Sequence, residues 1–165
     1  MMDSIIAEVE ADPHYRKATD AAHPDPEATI SDVICTSLRQ AASILPVKAI
    51  VTYTTSGWTT LRAARERPAA PILALTPDIK TARRLTLVWG TYPIQTPAAE
   101  MLSEIVEYAC ATAAAKKHAM PGDTIAIAAG MPFGVAGTTN LLRIARLPGG
   151  PHDPDSAYPR SRDLR

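Results

Sequence analysis

The sequence predicts a single α/β domain with three layers, a mostly parallel five-stranded sheet between helices. Three observations lead there. Short β-branched or aliphatic runs alternate with longer segments of helical spacing, as in repeated βαβ units. Turn and cap residues fall between them, and the last apolar run follows a short glycine-rich loop with no helix, so it should return antiparallel at a sheet edge. A length of 165 residues suits one core and leaves little room for a second.

Ile5, Ile6 and Val9 give residues 1–10 a helical spacing that stops before Asp12-Pro13. Residues 14–29 are polar, with Pro24 and Pro26 close together, and read as an extended linker. Residues 1–29 are therefore expected to be a leading helix and linker, 30–147 the α/β domain, and 148–165 a tail. Thr29 or Ser31 can cap a helix whose apolar face is Val33, Ile34, Leu38, Ala41 and Ile44, ending at Pro46. Residues 47–53 are too short for a helix and rich in β-branched side chains, hence a strand. Thr54-Thr55-Ser56-Gly57 breaks the pattern before a helix over residues 58–67. A strand at 71–75 leads to Thr76-Pro77-Asp78, where a cap and a first-turn proline, in the order Thr76 then Pro77, open a helix carrying Ala82, Leu85 and Val88, which Gly90 closes. A third strand is expected at 92–95. Residues 98–118 then form a long helix with Met101, Leu102, Ile105, Val106 and Ala109 inward. After the turn Pro121-Gly122-Asp123 come a strand at 124–129, the glycine-rich loop 130–137 and a final strand at 141–147. The tail is Pro, Asp, Ser and Arg with almost no apolar content, which cannot offset its ordering entropy, and is expected to be disordered.

The 17 basic residues balance the 17 acidic ones, with no basic stripe interleaved with aromatics, so nucleic acid is not an expected partner. Cys35 and Cys110 are far apart within helical patterns and read as buried thiols rather than a metal site or disulfide framework. No basic leader and no run of about 18 apolar residues is present, so a cytoplasmic protein without membrane attachment is expected. His14, His23, His118 and His152 accompany no nucleophile motif. Glu100, Glu104 and Glu107 recur at a helical spacing that could bind a metal but read rather as a solvated helix face; Lys80, Arg83 and Arg84 could contact an anion or a neighbouring subunit, with a solvated face the favoured reading. No catalytic or metal residue is expected.

In open α/β sheets, ligands sit outside the carboxyl ends of the strands, beside helix amino termini. Two segments fall there. Thr54, Thr55, Ser56 and Thr59 supply hydroxyls, Gly57 permits close backbone approach, and the helix starting at Trp58 presents free N–H groups, a set that favours phosphate. The helix end alone contributes about 0.3 to 1 kcal/mol, whereas micromolar binding needs roughly 8 kcal/mol, so hydroxyl and amide hydrogen bonds must supply the difference. The same residues could equally just cap the helix and close a turn. The second segment, Gly130 to Asn140, matches neither the Walker A nor the dinucleotide-binding fingerprint and could be a hairpin-like connection with glycines at positive φ.

Four ordered motifs carry a family resemblance: Thr54-Thr55-Ser56-Gly57; then Arg67 through Thr76; then Arg83-Arg84-Leu85-Thr86-Leu87-Val88-Trp89-Gly90; then Gly130 through Leu141. In order and spacing the chain resembles the carboxy-terminal regulatory domain of bacterial pyruvate kinases over about residues 1–147. The resemblance implies a parent enzyme of glycolysis that transfers the phosphoryl group of phosphoenolpyruvate to ADP, with Mg2+ and K+ held by a catalytic barrel whose residues are not in this sequence. It implies that this chain alone is inactive, holds no cofactor, and resembles an allosteric and oligomerisation domain. The implied effector pocket comprises Thr54, Thr55, Ser56, Gly57, Trp58 and Thr59, with Gly134, Ala136, Gly137 and Thr138 opposite. Thr55 and Trp58 stand where many members carry a basic residue, and Val135 and Ala136 add little polar capacity. Those departures point away from fructose 1,6-bisphosphate and toward a sugar monophosphate or AMP. A homo-oligomer is expected, and a separate catalytic barrel chain is a further candidate partner. A free-standing phosphometabolite-binding module and a purely structural assembly domain are the competing readings.

Overall fold

The computed structural model describes residues 2–21, 25–135 and 137–149. Its elements are α1 (Met2–Ala11), α2 (Pro13–Ala21), α3 (Ile30–Ile44), β1 (Val47–Tyr53), α4 (Trp58–Arg65), β2 (Ile72–Thr76), α5 (Ile79–Leu85), β3 (Thr91–Gln95), α6 (Leu102–Ala115), β4 (Thr124–Gly130) and β5 (Thr139–Arg146). The strands form one sheet in the order β3-β2-β1-β4-β5, parallel throughout except for the antiparallel β4–β5 pair. This is the α/β arrangement that the alternation of elements predicted, with the antiparallel strand at the expected edge.

Period-two alternation along β1 divides the core. Ala49, Val51 and Tyr53 face one layer with Leu73, Leu75, Ile125 and Ile127, covered by Ile105, Ala109 and Ala113 of α6. Ile50 faces the other with Ile72, Ala126 and Ala128, covered by Cys35 and Leu38 of α3 and Ala63 and Ala64 of α4. Both faces being buried explains why the central strands read as continuous apolar runs. Thr52, buried in the second layer, exchanges a hydrogen bond with Thr60 Oγ1 at 2.7 Å, so its hydroxyl is not orphaned.

Five local details differ from the sequence expectation. The segment read as linker contains α2, because Pro13 suits a first helical position and Asp12 accepts the His14 N–H at 2.8 Å. Asp78, not Thr76, caps α5 by accepting from the Lys80 and Thr81 N–H groups; the Thr81 side chain first, and then those N–H groups, hold its carboxyl below the usual range. Val88 lies beyond that helix yet still packs on the core. Met101 is exposed at the start of α6, where Glu104 turns back to accept the N–H groups of Glu100 and Met101 at 2.7 and 3.0 Å, so Glu104 is a cap and not a free surface charge. In α3 the expected inward residues Val33 and Ile44 are 55% and 71% exposed, while Asp32 is fully buried.

That rotation of α3 has an electrostatic cause. Asp32 Oδ1 lies 2.6 Å from Arg62 Nη1 and Oδ2 2.5 Å from Arg65 Nη2, both on α4, and Oδ2 also accepts the Glu27 N–H at 2.7 Å. Burial pushes this carboxyl up, but the backbone bond and the two guanidiniums outweigh it and hold it below the ordinary value. Turning Asp32 inward leaves Ile30, Val33 and Ile44 as an outward stripe, since their spacing places them on one helical face. Cys35, beside this network, is pushed up to about 12 by burial and then by Glu66 and Asp32, and Cys110 is raised by burial, so both are protonated, buried thiols as expected.

Candidate functional site

The loop after β1 is built by its own side chains and by α5. Thr54 donates its N–H to the Leu75 carbonyl at 3.0 Å, and its Oγ1 accepts the Gly57 N–H at 2.9 Å. Gly57 adopts φ +91°, and an added Cβ there would lie 3.3 Å from Arg84 Nη2 and 3.4 Å from Leu85 Cδ2, so glycine meets both a conformational and a spatial need. From α5, Thr81 Oγ1 donates to the Thr55 carbonyl at 3.0 Å and Arg84 Nη2 donates to the Ser56 carbonyl. Arg84 is therefore not merely part of a solvated face. Its charge stands at the loop where the neighbouring positions Thr55 and Trp58 offer none. Because Gly57 occupies the N-cap of α4, no side chain caps that helix end.

The opposite wall is the β4–β5 connection. Asn140 clamps its base, with Oδ1 accepting the Met131 N–H at 2.9 Å and Nδ2 donating to the Met131 carbonyl at 2.7 Å. Gly130 passes so close to Thr138 that a Cβ would sit 2.7 Å from its Oγ1. Gly134 and Gly137 adopt φ +84° and +83°, the left-handed turns anticipated for this loop. Phe133 packs edge-on against Tyr53, centroids 6.1 Å apart. The two walls are joined by a buried hydrogen bond between the hydroxyls of Thr59 and Thr139, 2.7 Å.

Between the walls lies a narrow cleft with about 20 Å3 of free volume. Thr54, Thr55, Ser56 and Thr59 line it from the first segment, and Gly134, Gly137 and Thr138 from the second. Of the remaining candidates, Gly57 shapes the loop without lining the cleft, Trp58 faces a neighbouring cavity with Arg62, and Ala136 lies outside the described residues. Gly130 and Val135 of the second segment also line the cleft, as does Tyr53, which the sequence did not single out. The Thr54 hydroxyl oxygen accepts the Gly57 N–H, Thr59 pairs with Thr139 and Thr138 donates to the Val135 carbonyl, while no hydrogen bond engages the hydroxyls of Thr55 and Ser56 among the described residues. Arg84 was legible only indirectly: its position three residues after Thr81 puts both on the α5 face turned to the loop.

No group of three or more His, Cys, Asp or Glu side chains that could hold a metal exists among the described residues. The described residues that line the cleft include no carboxylate. His14 is exposed beside Asp12, and His118 lies against Tyr92 with ring centroids 4.9 Å apart; His23 and His152 fall outside the described residues, as does the tail from Gly150. No helix among the described residues is long and apolar enough to cross a membrane.

The fold and cleft define an α/β module with a small polar site at the carboxyl ends of its parallel strands, beside a helix amino terminus. Residues 32–145 match the family model described as the pyruvate kinase α/β domain, so the chain belongs to the pyruvate kinase family through that domain. It is similar to pyruvate kinases of Methylorubrum extorquens (42% identical over 144 residues, 87% of this chain), Agrobacterium vitis (36% over 147 residues, 89%) and Clostridium acetobutylicum (34% over 143 residues, 87%). The chain spans 30% of the length of each of these relatives.

Proposed function

We propose that this chain is the allosteric and assembly domain of a cytoplasmic pyruvate kinase, binding the phosphoryl group of a small effector in the cleft between residues 54–59 and 134–138. The parent reaction, phosphoryl transfer from phosphoenolpyruvate to ADP in glycolysis, belongs in this reading to a catalytic part of the relatives, together with its Mg2+ and K+; this chain alone is inactive. The observation that carries the proposal is the unengaged pair of hydroxyls, Thr55 and Ser56, at an uncapped helix end with the Arg84 guanidinium beside it. Hydroxyls, amide N–H groups and one cation are the donors that a phosphate dianion needs. The effector is a sugar monophosphate or AMP.

Assembly is supported by a different surface. The outward stripe Ile30, Val33 and Ile44 lies on α3, a helix that packs on β5, whose outer edge has no strand partner among the described residues. An apolar stripe next to an open strand edge favours association with a second copy.

Thermal unfolding with ribose 5-phosphate, glucose 6-phosphate, AMP and fructose 1,6-bisphosphate tests the proposal, since a ligand at 100 times its dissociation constant adds about 2.7 kcal/mol. A shift with a monophosphate that Ser56→Ala abolishes is the expected result. No shift with any of the four would leave a purely structural assembly domain, and pyruvate formation by the pure chain would overturn the claim of inactivity.

A further inference from the structure

The β4–β5 ladder is irregular where it reaches the cleft. Ala129 pairs with Leu141, yet the next residue, Gly130, pairs with Thr139, so one step along β4 takes two along β5. Asn140 is the extra residue of a β-bulge, a device that re-aims the side chains beside it. Its effect here follows from strand alternation. Leu142 packs in the layer of α3 and α4, and Leu141 in the layer of α6. A regular strand would send Thr139 to the same side as Leu141, away from α4. With the bulge Thr139 is buried on the α4 side instead, its hydroxyl 2.7 Å from that of Thr59. The contact that joins the two walls of the cleft thus depends on one inserted residue.

The ladder ends at the Gly130–Thr139 pair, and both backbone groups of Met131 turn to the Asn140 side chain, the N–H donating to Oδ1 and the carbonyl accepting from Nδ2. A carboxamide presents a donor and an acceptor as a peptide group does, so the side chain supplies the rung that its own backbone position gave up. Aspartate would lack the donor, and alanine both groups. Beyond this neck the chain runs on to Gly134, Gly137 and Thr138, which line the cleft, and Thr138 returns to lie against Gly130.

We infer that Asn140 is the positioning residue of the cleft. As the bulge residue it turns Thr139 toward Thr59, and through its carboxamide it fixes Met131 and with it the wall formed by Gly134, Gly137 and Thr138. It acts through these residues and does not itself line the cleft. The inference rests on the reading of the cleft as a phosphate site for what is bound, whereas the geometry is measurable with no ligand present.

Amide hydrogen exchange of the full chain, followed by NMR, tests the geometry. In Asn140→Ala the Met131 amide should exchange about ten-fold faster at neutral pH, as the loss of two neutral hydrogen bonds implies, and should accelerate more than Val51 and Ile127 in the core. Asn140→Asp gives a signature that packing alone does not: its carboxylate accepts the Met131 N–H but cannot donate to the carbonyl, whereas the protonated acid does both. Its excess exchange over the natural chain should therefore shrink as pH is lowered from about 7 to about 4.5, toward the carboxyl range. Deletion of Asn140 tests the register. Thr59→Val should destabilise the intact chain to urea but the deleted chain no further, and if the deletion prevents folding the two point variants decide alone. Titration with ribose 5-phosphate tests the consequence, a loss of affinity of about five-fold or more in Asn140→Ala. Unchanged Met131 exchange in Asn140→Ala, or an Asn140→Asp excess indifferent to pH, overturns the inference. Faster exchange with unchanged affinity overturns the positioning role and leaves the phosphate reading intact. If the natural chain binds no ribose 5-phosphate, the reading of the cleft falls, and the exchange and deletion results by themselves uphold or overturn the geometry.

Discussion

The Arg84 guanidinium donates a hydrogen bond to the carbonyl oxygen of Ser56, joining α5 to the loop that opens α4. With the Thr81 hydroxyl on the Thr55 carbonyl, it gives two consecutive peptide groups of this loop an anchor on the same helix. The loop's carbonyls are thereby held toward α5, and its hydroxyls and the uncapped N–H groups of α4 are left for the cleft.

Arg84→Gln removes both the anchor and the nearest positive charge. A hydrogen bond from a charged group contributes about 1.5–3 kcal/mol, less at an exposed site such as this one, so phosphate affinity should fall roughly ten-fold. Hydrogen exchange of the amides at 55–60 should accelerate without any ligand. Unchanged exchange in Arg84→Gln,Thr81→Val would mean that α5 does not hold the loop.

Gly57→Ala should lower stability by about 1–2 kcal/mol, because the residue must keep a left-handed φ and its new methyl meets Arg84 and Leu85. Urea unfolding measures this. Gly90→Ala is the control: its φ is +64° but nothing lies within 4 Å of an added Cβ, so a smaller loss is expected.

Asp32→Ala should cost about 3 kcal/mol, since two guanidiniums would lose the buried carboxylate that they flank. The same carboxylate predicts a pH response. Its folded value is depressed, so its stabilisation is fully present above the unfolded value of about 3.9 and is lost as pH falls through the folded one. Stability should thus hold from neutral pH to about 5 and decline below about 4. Asp32→Asn should show a shallower decline in denaturant titrations at each pH.

Leu38→Ala and Ile44→Ser separate the two faces of α3. Leu38 is 1% exposed in the core and should cost about 2–5 kcal/mol. Ile44→Ser should change the stability of a single chain by less than about 0.5 kcal/mol, yet lower the sedimentation coefficient if the stripe joins two copies.

The sheet was legible because its strands are buried on both faces, which leaves short β-branched runs such as Val47–Tyr53 with no competing helical reading. The cleft was legible because Thr54-Thr55-Ser56-Gly57 and the loop after β4 both lie at strand carboxyl ends that the parallel order brings side by side. Long-range charge was not. Asp32 pairs with residues thirty and more positions away, and no periodicity reports that an acidic side chain will turn inward and carry Val33 and Ile44 outward. Arg84 was legible only as one of three cations that could meet an anion, since nothing in Arg83-Arg84 tells which of the two lies beside Gly57. The helix α2 was hidden by reading Pro13 as a stop when, after Asp12, a proline is equally a start.

The Thr59–Thr139 hydroxyl pair closes the cleft with a residue from β5, which follows the other four strands of the sheet among the described residues. A polypeptide synthesised only through β4 has every partner of the parallel ladder but just one wall of the site. The cleft is therefore completed only after the architecture is otherwise assembled, and if it binds the proposed phosphate, proteolytic nicking between β4 and β5 should abolish that binding long before it melts the domain.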